Sequence, residues 1–148
     1  MKYIITTCFL LTMISSFAQS AKEGDEIIGI WKTGSGKGKV EIVKKGNQYL
    51  GKIVWLNEPT NPKTGKPKTD LKHPDAALHQ RPVLGLVNLW GFVFKGNNKW
   101  EDGHIYDPNN GKEYKCIITL KNDNTLIVRG YIGISLIGRN DTWTKSSL

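Results

Sequence analysis

From Ile28 onward, polarity along the chain switches at every second position, the period of a half-buried strand. Ile28 to Thr33 is a short apolar run. After the flexible Gly34-Ser35-Gly36-Lys37-Gly38 turn, Lys39 to Lys44 places Val40 and Ile42 on one face. Lys45-Gly46-Asn47 is a hairpin signal. Gln48 to Leu56 follows, with Tyr49, Gly51, Ile53 and Trp55 in one phase and Leu50, Lys52 and Val54 in the other. Val87 to Lys95 is apolar on both faces, and Gly96-Asn97-Asn98 turns the chain into Lys99 to Asp107. Beyond Pro108-Asn109-Asn110-Gly111, the run Lys112 to Leu120 alternates cleanly, with Tyr114, Cys116, Ile118 and Leu120 together. Asn122-Asp123-Asn124 leads to Thr125 to Ile132, and a last strand is centred on Ile137 to Lys145. No window carries a sustained 3.6-residue apolar period, so helix is minor.

Strands at this spacing, mostly joined by hairpins, predict an all-β chain. The favoured form is a single eight-stranded antiparallel up-and-down barrel, because closure removes the exposed edges of an open sheet. One connection breaks the rhythm. Residues 57–82 form a long loop carrying Pro59, Pro62, Pro67, Pro74 and Pro82 with Lys63, Lys66, Lys68, Lys72 and Arg81. So many prolines predict a stiffened segment, either a lid over one barrel end or a solvated excursion. Pro74 to Gln80 predicts two helical turns within it.

The amino end has a different composition. Lys2 precedes an apolar stretch from Tyr3 to Phe17, and Ser16-Phe17-Ala18 supplies small residues where a signal peptidase reads. Residues 1–18 are therefore expected to be a cleaved export signal, residues 19–27 a flexible lead-in, and residues 28–148 the barrel domain. The apolar stretch is shorter than the ~20 residues of a spanning helix, and no later segment could serve as one. Periplasmic or secreted localisation follows as an expectation. Cys116 is the one cysteine beyond the leader, so no internal disulfide is available and a packed core must supply stability. In phase with Tyr114 and Ile118, Cys116 reads as packing rather than as a reactive thiol.

The net charge of +8 suits weak attraction to an anionic envelope surface. Nucleic acid is not indicated, because the lysines lack an interleaved aromatic platform. The glycine-lysine turn at Thr33 to Lys39 is not a phosphate loop: a strand follows it instead of a helix, and Val40 stands where Ser or Thr is required. His73, His79 and His104 show no metal-ligand spacing, and neither metal nor cofactor is indicated. Asp102, His104 and Tyr106 share one strand face and could act as general acid and base. No motif places a nucleophile beside them, so no catalytic residue is assigned.

The rings are the most suggestive feature. Trp31, Trp55, Trp90, Trp100 and Trp143, with several tyrosines, either plug a small barrel or line a pocket in it. Tyr49, Trp55, Tyr114, Cys116 and Val128 are the candidate inner wall, since charged residues occupy the alternate positions. Arg129 and Tyr131 then face outward.

Gly29-Ile30-Trp31 and Gly138-Arg139 resemble the ends of lipocalin-like barrels. That resemblance implies that Arg139 covers Trp31 through a cation–π contact and closes one end. A wider resemblance spans Gly29 to Lys145. It rests on Gly51-Lys52-Ile53-Val54-Trp55-Leu56-Asn57-Glu58-Pro59, Thr64-Gly65-Lys66-Pro67-Lys68 and Arg81-Pro82-Val83-Leu84-Gly85-Leu86. Ile105 to Lys112 and Val128-Arg129-Gly130-Tyr131-Ile132-Gly133 continue it. The chain is similar to a bacterial family of small exported proteins, a domain of unknown function with a lipocalin-like, calycin-type barrel. His73 departs from its usual Asn before Pro-Asp, and His79 from a frequent Arg. The resemblance implies the fold and supplies no catalytic residues.

Three functions are then open. The first is a non-enzymatic barrel holding a small apolar or amphipathic molecule. The second is a filled barrel acting as an envelope interaction module through its basic loop. The third is a hydrolase-type enzyme built on Asp102, His104 and Tyr106.

Overall fold

The computed structural model describes residues 23–148, so the leader expected over residues 1–18 lies outside the described residues. Eight antiparallel strands close into a barrel in chain order: β1 (Gly29–Lys32), β2 (Gly38–Lys45), β3 (Gln48–Leu56), β4 (Val87–Phe94), β5 (Lys99–Asp107), β6 (Lys112–Asn122), β7 (Thr125–Tyr131) and β8 (Gly138–Ser146). β1 seals the sheet by pairing with both β2 and β8. The predicted all-β up-and-down barrel is thus observed, with helix confined to two short 3₁₀ turns, Asp25–Ile27 and Ala76–Leu78.

Because consecutive strands alternate in direction, the β1–β2, β3–β4, β5–β6 and β7–β8 connections all emerge at one end. The other end is plugged. The segment ahead of β1, expected to be flexible, turns across that end: Ile27 is fully buried, and its carbonyl accepts from Trp31 Nε1 at 2.8 Å. Trp100 Nε1 donates to the carbonyl of Gly24 at 3.0 Å, and the Tyr49 hydroxyl donates to Asp25 at 2.6 Å. Tyr49 meets Trp100 edge-on at 6.3 Å, and the Phe94 ring tilts against the same indole at 5.1 Å. Each buried ring N–H or hydroxyl therefore has a partner, which makes burial of these amphipathic rings favourable.

Glycine makes the dense half possible. Gly103 faces inward and the Phe92 ring lies directly over its α-carbon, in the place a side chain would take. Leu89 and Val40 occupy the corresponding space above Gly51.

Of the register shifts between neighbouring strands, two bear on the candidate residues. Between Lys39 and Val40 the register to β3 shifts, so Val40 pairs with Ile53 and Lys39 with Trp55. One extra residue on β3 reverses the alternation beyond it. Leu56 consequently packs on the core, while Trp55 turns outward under the ammonium of Lys39 at 5.2 Å. The simple period had placed Trp55 on the inner wall. A second shift lies between Trp100 and Gly103, where Asp102 adopts φ 62°. It leaves Asp102 exposed and turned to Lys95 rather than to His104 or Tyr106.

The long connection from 57 to 86 is a folded strap. Antiparallel bridges Thr60–Pro67 and Thr69–Pro82 organise it. Its interior is the carboxylate of Asp70, fully buried, which accepts from Arg81 Nε at 2.9 Å, Arg81 Nη2 at 2.7 Å and the Tyr106 hydroxyl at 2.6 Å. All of these bonds are charge-assisted, the kind that offsets burial of a carboxylate. The two helical turns predicted over Pro74 to Gln80 shrink to one 3₁₀ turn, capped by Asp75 through the amide of Ala77. His79 Nε2 donates to the carbonyl of His73 instead of facing a ligand. Gly111, at φ 73°, lets the carbonyl of Lys72 pack against the β5–β6 turn and fixes the strap at the open end.

Candidate functional site

The strands converge on a half-filled tube. Below, Ile42, Leu89, Phe92, Trp100, Ile118 and Leu126 close the core. Above them lies a cavity of about 1170 Å³ that opens between the loops of the unplugged end. Val40, Ile53, Leu56, Ile105, Val128 and Trp143 form its apolar wall, each carried inward by its strand's phase. Gly130 widens it: a β-carbon there would stand 3.6 Å from Tyr114 Cβ and 3.7 Å from Ile105 Cγ2, ordinary contact distances with room beyond. Glu58, Lys68, Thr69 and Val83 of the strap make one side of the mouth, and Ile132 and Ile137 another.

The rim is polar and its charges are unevenly engaged. Glu58 pairs with Lys68 at 3.1 Å. Asp141 accepts from Trp143 Nε1 at 2.6 Å and from the amide of Gly34. Lys37 and Arg139, also on the rim, have no acidic partner among the described residues. One polar group in the wall is unpaired as well. Asn88 is 7% exposed, and its Oδ1 has no hydrogen-bond partner. An orphaned buried amide costs about 1–3 kcal/mol, a cost that a bound polar group would remove.

The five wall candidates from the sequence separate in space. Val128 is buried in the cavity wall, and Tyr114 stands at the mouth, its hydroxyl accepting from Asn110 Nδ2 at 3.0 Å. Cys116 lies deeper, in the closed core, where burial pushes its thiol up to about 12. Tyr49 belongs to the plug, and burial raises its hydroxyl above the ordinary tyrosine range. Trp55 is on the outer surface. Residues missed by the alternation rule are Leu56, placed inward by the bulge, and Asn88, hidden in an otherwise apolar strand. Tyr131, expected outside, contributes to the rim.

The closing cation is not Arg139. Register sets Lys145 opposite Trp31, with Nζ 4.6 Å from the ring and bonded to the carbonyl of Ile28 at 3.1 Å. Arg139 pairs with Gly130 at the far end of β8.

The proposed acid–base row is likewise dispersed. Asp102 pairs with Lys95 at 2.7 Å. His104 stacks on Trp90 at 5.6 Å and bonds Glu113 at 2.8 Å. Tyr106 is buried under the strap, its hydroxyl pushed up to about 12 by burial and by Asp70. These three groups do not converge on a common point. No cluster of His, Cys, Asp or Glu among the described residues is arranged to hold a metal.

The comparisons agree with this architecture. A family model described as an uncharacterized protein conserved in bacteria, DUF2147, matches residues 29–145. The chain belongs to the DUF2147 family. Among solved structures, the chain is similar to protein HP1028 of Helicobacter pylori, described as belonging to the lipocalin family. The two are 20% identical, with 82% of this chain and 83% of that one covered at a TM-score of 0.69. At that identity the likeness concerns the fold, which is lipocalin-like in both. No curated protein matches the chain. No helix among the described residues is long and apolar enough to cross a membrane.

Proposed function

We propose that this DUF2147 protein is a non-enzymatic carrier, exported by its leader, that holds a small amphipathic molecule in the open half of its barrel. The observation that carries the reading is the cavity itself: about 1170 Å³, apolar inside and polar at the rim. That volume is on the scale of small-molecule sites. The unpartnered amide of Asn88 supports a ligand with at least one polar group rather than a pure hydrocarbon. A filled barrel describes only the plugged half, and the dispersal of Asp102, His104 and Tyr106 removes support for an enzyme.

The test is titration with an environment-sensitive apolar dye, followed by competition with lipid extract from the producing bacterium. Dye bound and then displaced by the extract supports the reading. Native mass spectrometry of protein recovered from that bacterium should show added mass. Absence of both dye binding and added mass would refute it.

A further inference from the structure

We propose that the open end of the barrel docks on an anionic phospholipid bilayer, with the β7–β8 loop as its apolar tip. That loop, residues 132–137, carries Ile132, Ile134, Leu136 and Ile137, which are 69, 59, 86 and 73% exposed. Ile132 and Ile137 border the cavity, whereas Ile134 and Leu136 lie outside its lining. So much aliphatic surface on one short loop is costly in water and marks a contact site.

The loop is held in this posture. Arg129, from the outer face of β7, donates through Nε to the carbonyl of Ser135 at 2.7 Å and through Nη2 to that of Leu136 at 3.2 Å. Its Nη1 donates to Asn140 Oδ1 at 2.8 Å. The amide of Ile137 bonds back to Ile134. A guanidinium satisfies the loop's carbonyls while its side chains are presented outward.

Charge identifies the partner. Topology brings the strap, the β1–β2 turn and the β5–β6 turn to the same end as this loop. There Lys37, Lys63, Lys66, Lys72, Lys112 and Arg139 are exposed and lack acidic partners among the described residues. Of the acids at this end, Glu58 pairs with Lys68, Asp70 with Arg81 and Glu113 with His104, while Asp75, Asp107 and Asp141 accept from neutral donors and keep their charge, so the six free cations outnumber the unpaired carboxylates by three. Leu71 and Leu84 of the strap add exposed aliphatic surface at 57 and 48%. An apolar tip at the same end as these unpaired cations is complementary to acyl chains beneath anionic headgroups. A soluble acidic protein would satisfy the cations and leave the tip uncovered. The proposal stands whatever the cavity holds.

The test places an environment-sensitive fluorophore at Leu136→Cys in the exported form that begins at Gln19, where buried Cys116 is the one native cysteine and stays unlabelled. A control label sits at Asp123→Cys, on the β6–β7 turn at the plugged end. With vesicles of phosphatidylglycerol and phosphatidylethanolamine, the emission at 136 should shift blue and that at 123 should not. Neutral phosphatidylcholine vesicles should give no shift at either position. Lys37→Gln with Arg139→Gln should raise the vesicle concentration for half-effect roughly 25-fold, about fivefold per cation. Both variants must keep the far-ultraviolet spectrum of the parent. Four outcomes overturn the proposal: no shift at 136, an equal shift at 123, an equal response to neutral vesicles, or a concentration-dependent shift without vesicles. The last would make a second copy the occupant.

Discussion

Replacing Gly130 with leucine separates a carrier from a filled barrel by the sign of one number. Gly130 lies in β7 with ordinary strand backbone, and its absent side chain points toward Tyr114 and Ile105. Replacing a strand glycine relieves about 0.5–1 kcal/mol of conformational cost. A leucine half covered by that wall adds about 1 kcal/mol more, half of what full burial would give. With open space in front of it, Gly130→Leu should therefore stabilise the protein by about 1–2 kcal/mol in urea unfolding. In a close-packed interior the same change would cost about 1–3 kcal/mol through overpacking. Dye affinity should move the other way and fall at least tenfold, because the new side chain takes up ligand space. Gly130→Val should give the same two signs with a smaller loss of affinity. A destabilised Gly130→Leu protein that still binds dye as tightly as the parent would refute the cavity argument on both counts.

Other expectations follow from the packing and the charges. Gly103→Ala should destabilise by about 1–3 kcal/mol, since the Phe92 ring has nowhere to retreat; urea midpoints would show it. Lys145→Gln should cost about 1 kcal/mol through the lost contact with Trp31, whereas Arg139→Gln should leave stability unchanged. Asp70→Ala should free the strap, leaving Arg81 and the Tyr106 hydroxyl unpaired. Amide exchange should then rise at Asp70, His73 and Val83, whose amides bond within the strap, before it rises in β2 or β6. Cys116 and Tyr106 both titrate near 12 when folded, against ordinary values of 9.0 and 10.0. The folded state thus holds protons that the unfolded chain releases. Their contribution to stability is complete below pH 9 and declines as pH rises from 9 through 12. Cys116→Ala should flatten the portion beginning near pH 9, read from urea midpoints across that range.

The strand count and their sequential pairing were legible because hairpin signals such as Lys45-Gly46-Asn47 and Pro108-Asn109-Asn110-Gly111 are local. Phase was less so. A period-two reading carries Trp55 inward as long as no residue is inserted. The β3 bulge depends on pairing with β2, which no window of β3 reports. At Asp102-Gly103 a trace of the second bulge was present, since that residue pair tolerates unusual backbone angles. The identity of the cation over Trp31 depended on the β1–β8 register, a contact between the two ends of the barrel sequence. Asn88 could not be singled out from a run that is apolar on both faces. Ile132 and Ile137 read as strand ends, and only the topology gathered them with Ile134 and Leu136 at the tip of one loop.

Because β1 leaves the plug and β8 returns to it, Glu23 and Leu148 both sit at the pole opposite the opening. A tether running into Glu23 or on from Leu148 would hold the described domain by its base, with the aperture facing away from the attachment. An anchored form of the chain would thus point its entrance outward from the surface it is fixed to, and only a released form could turn over and lower that entrance onto the same surface.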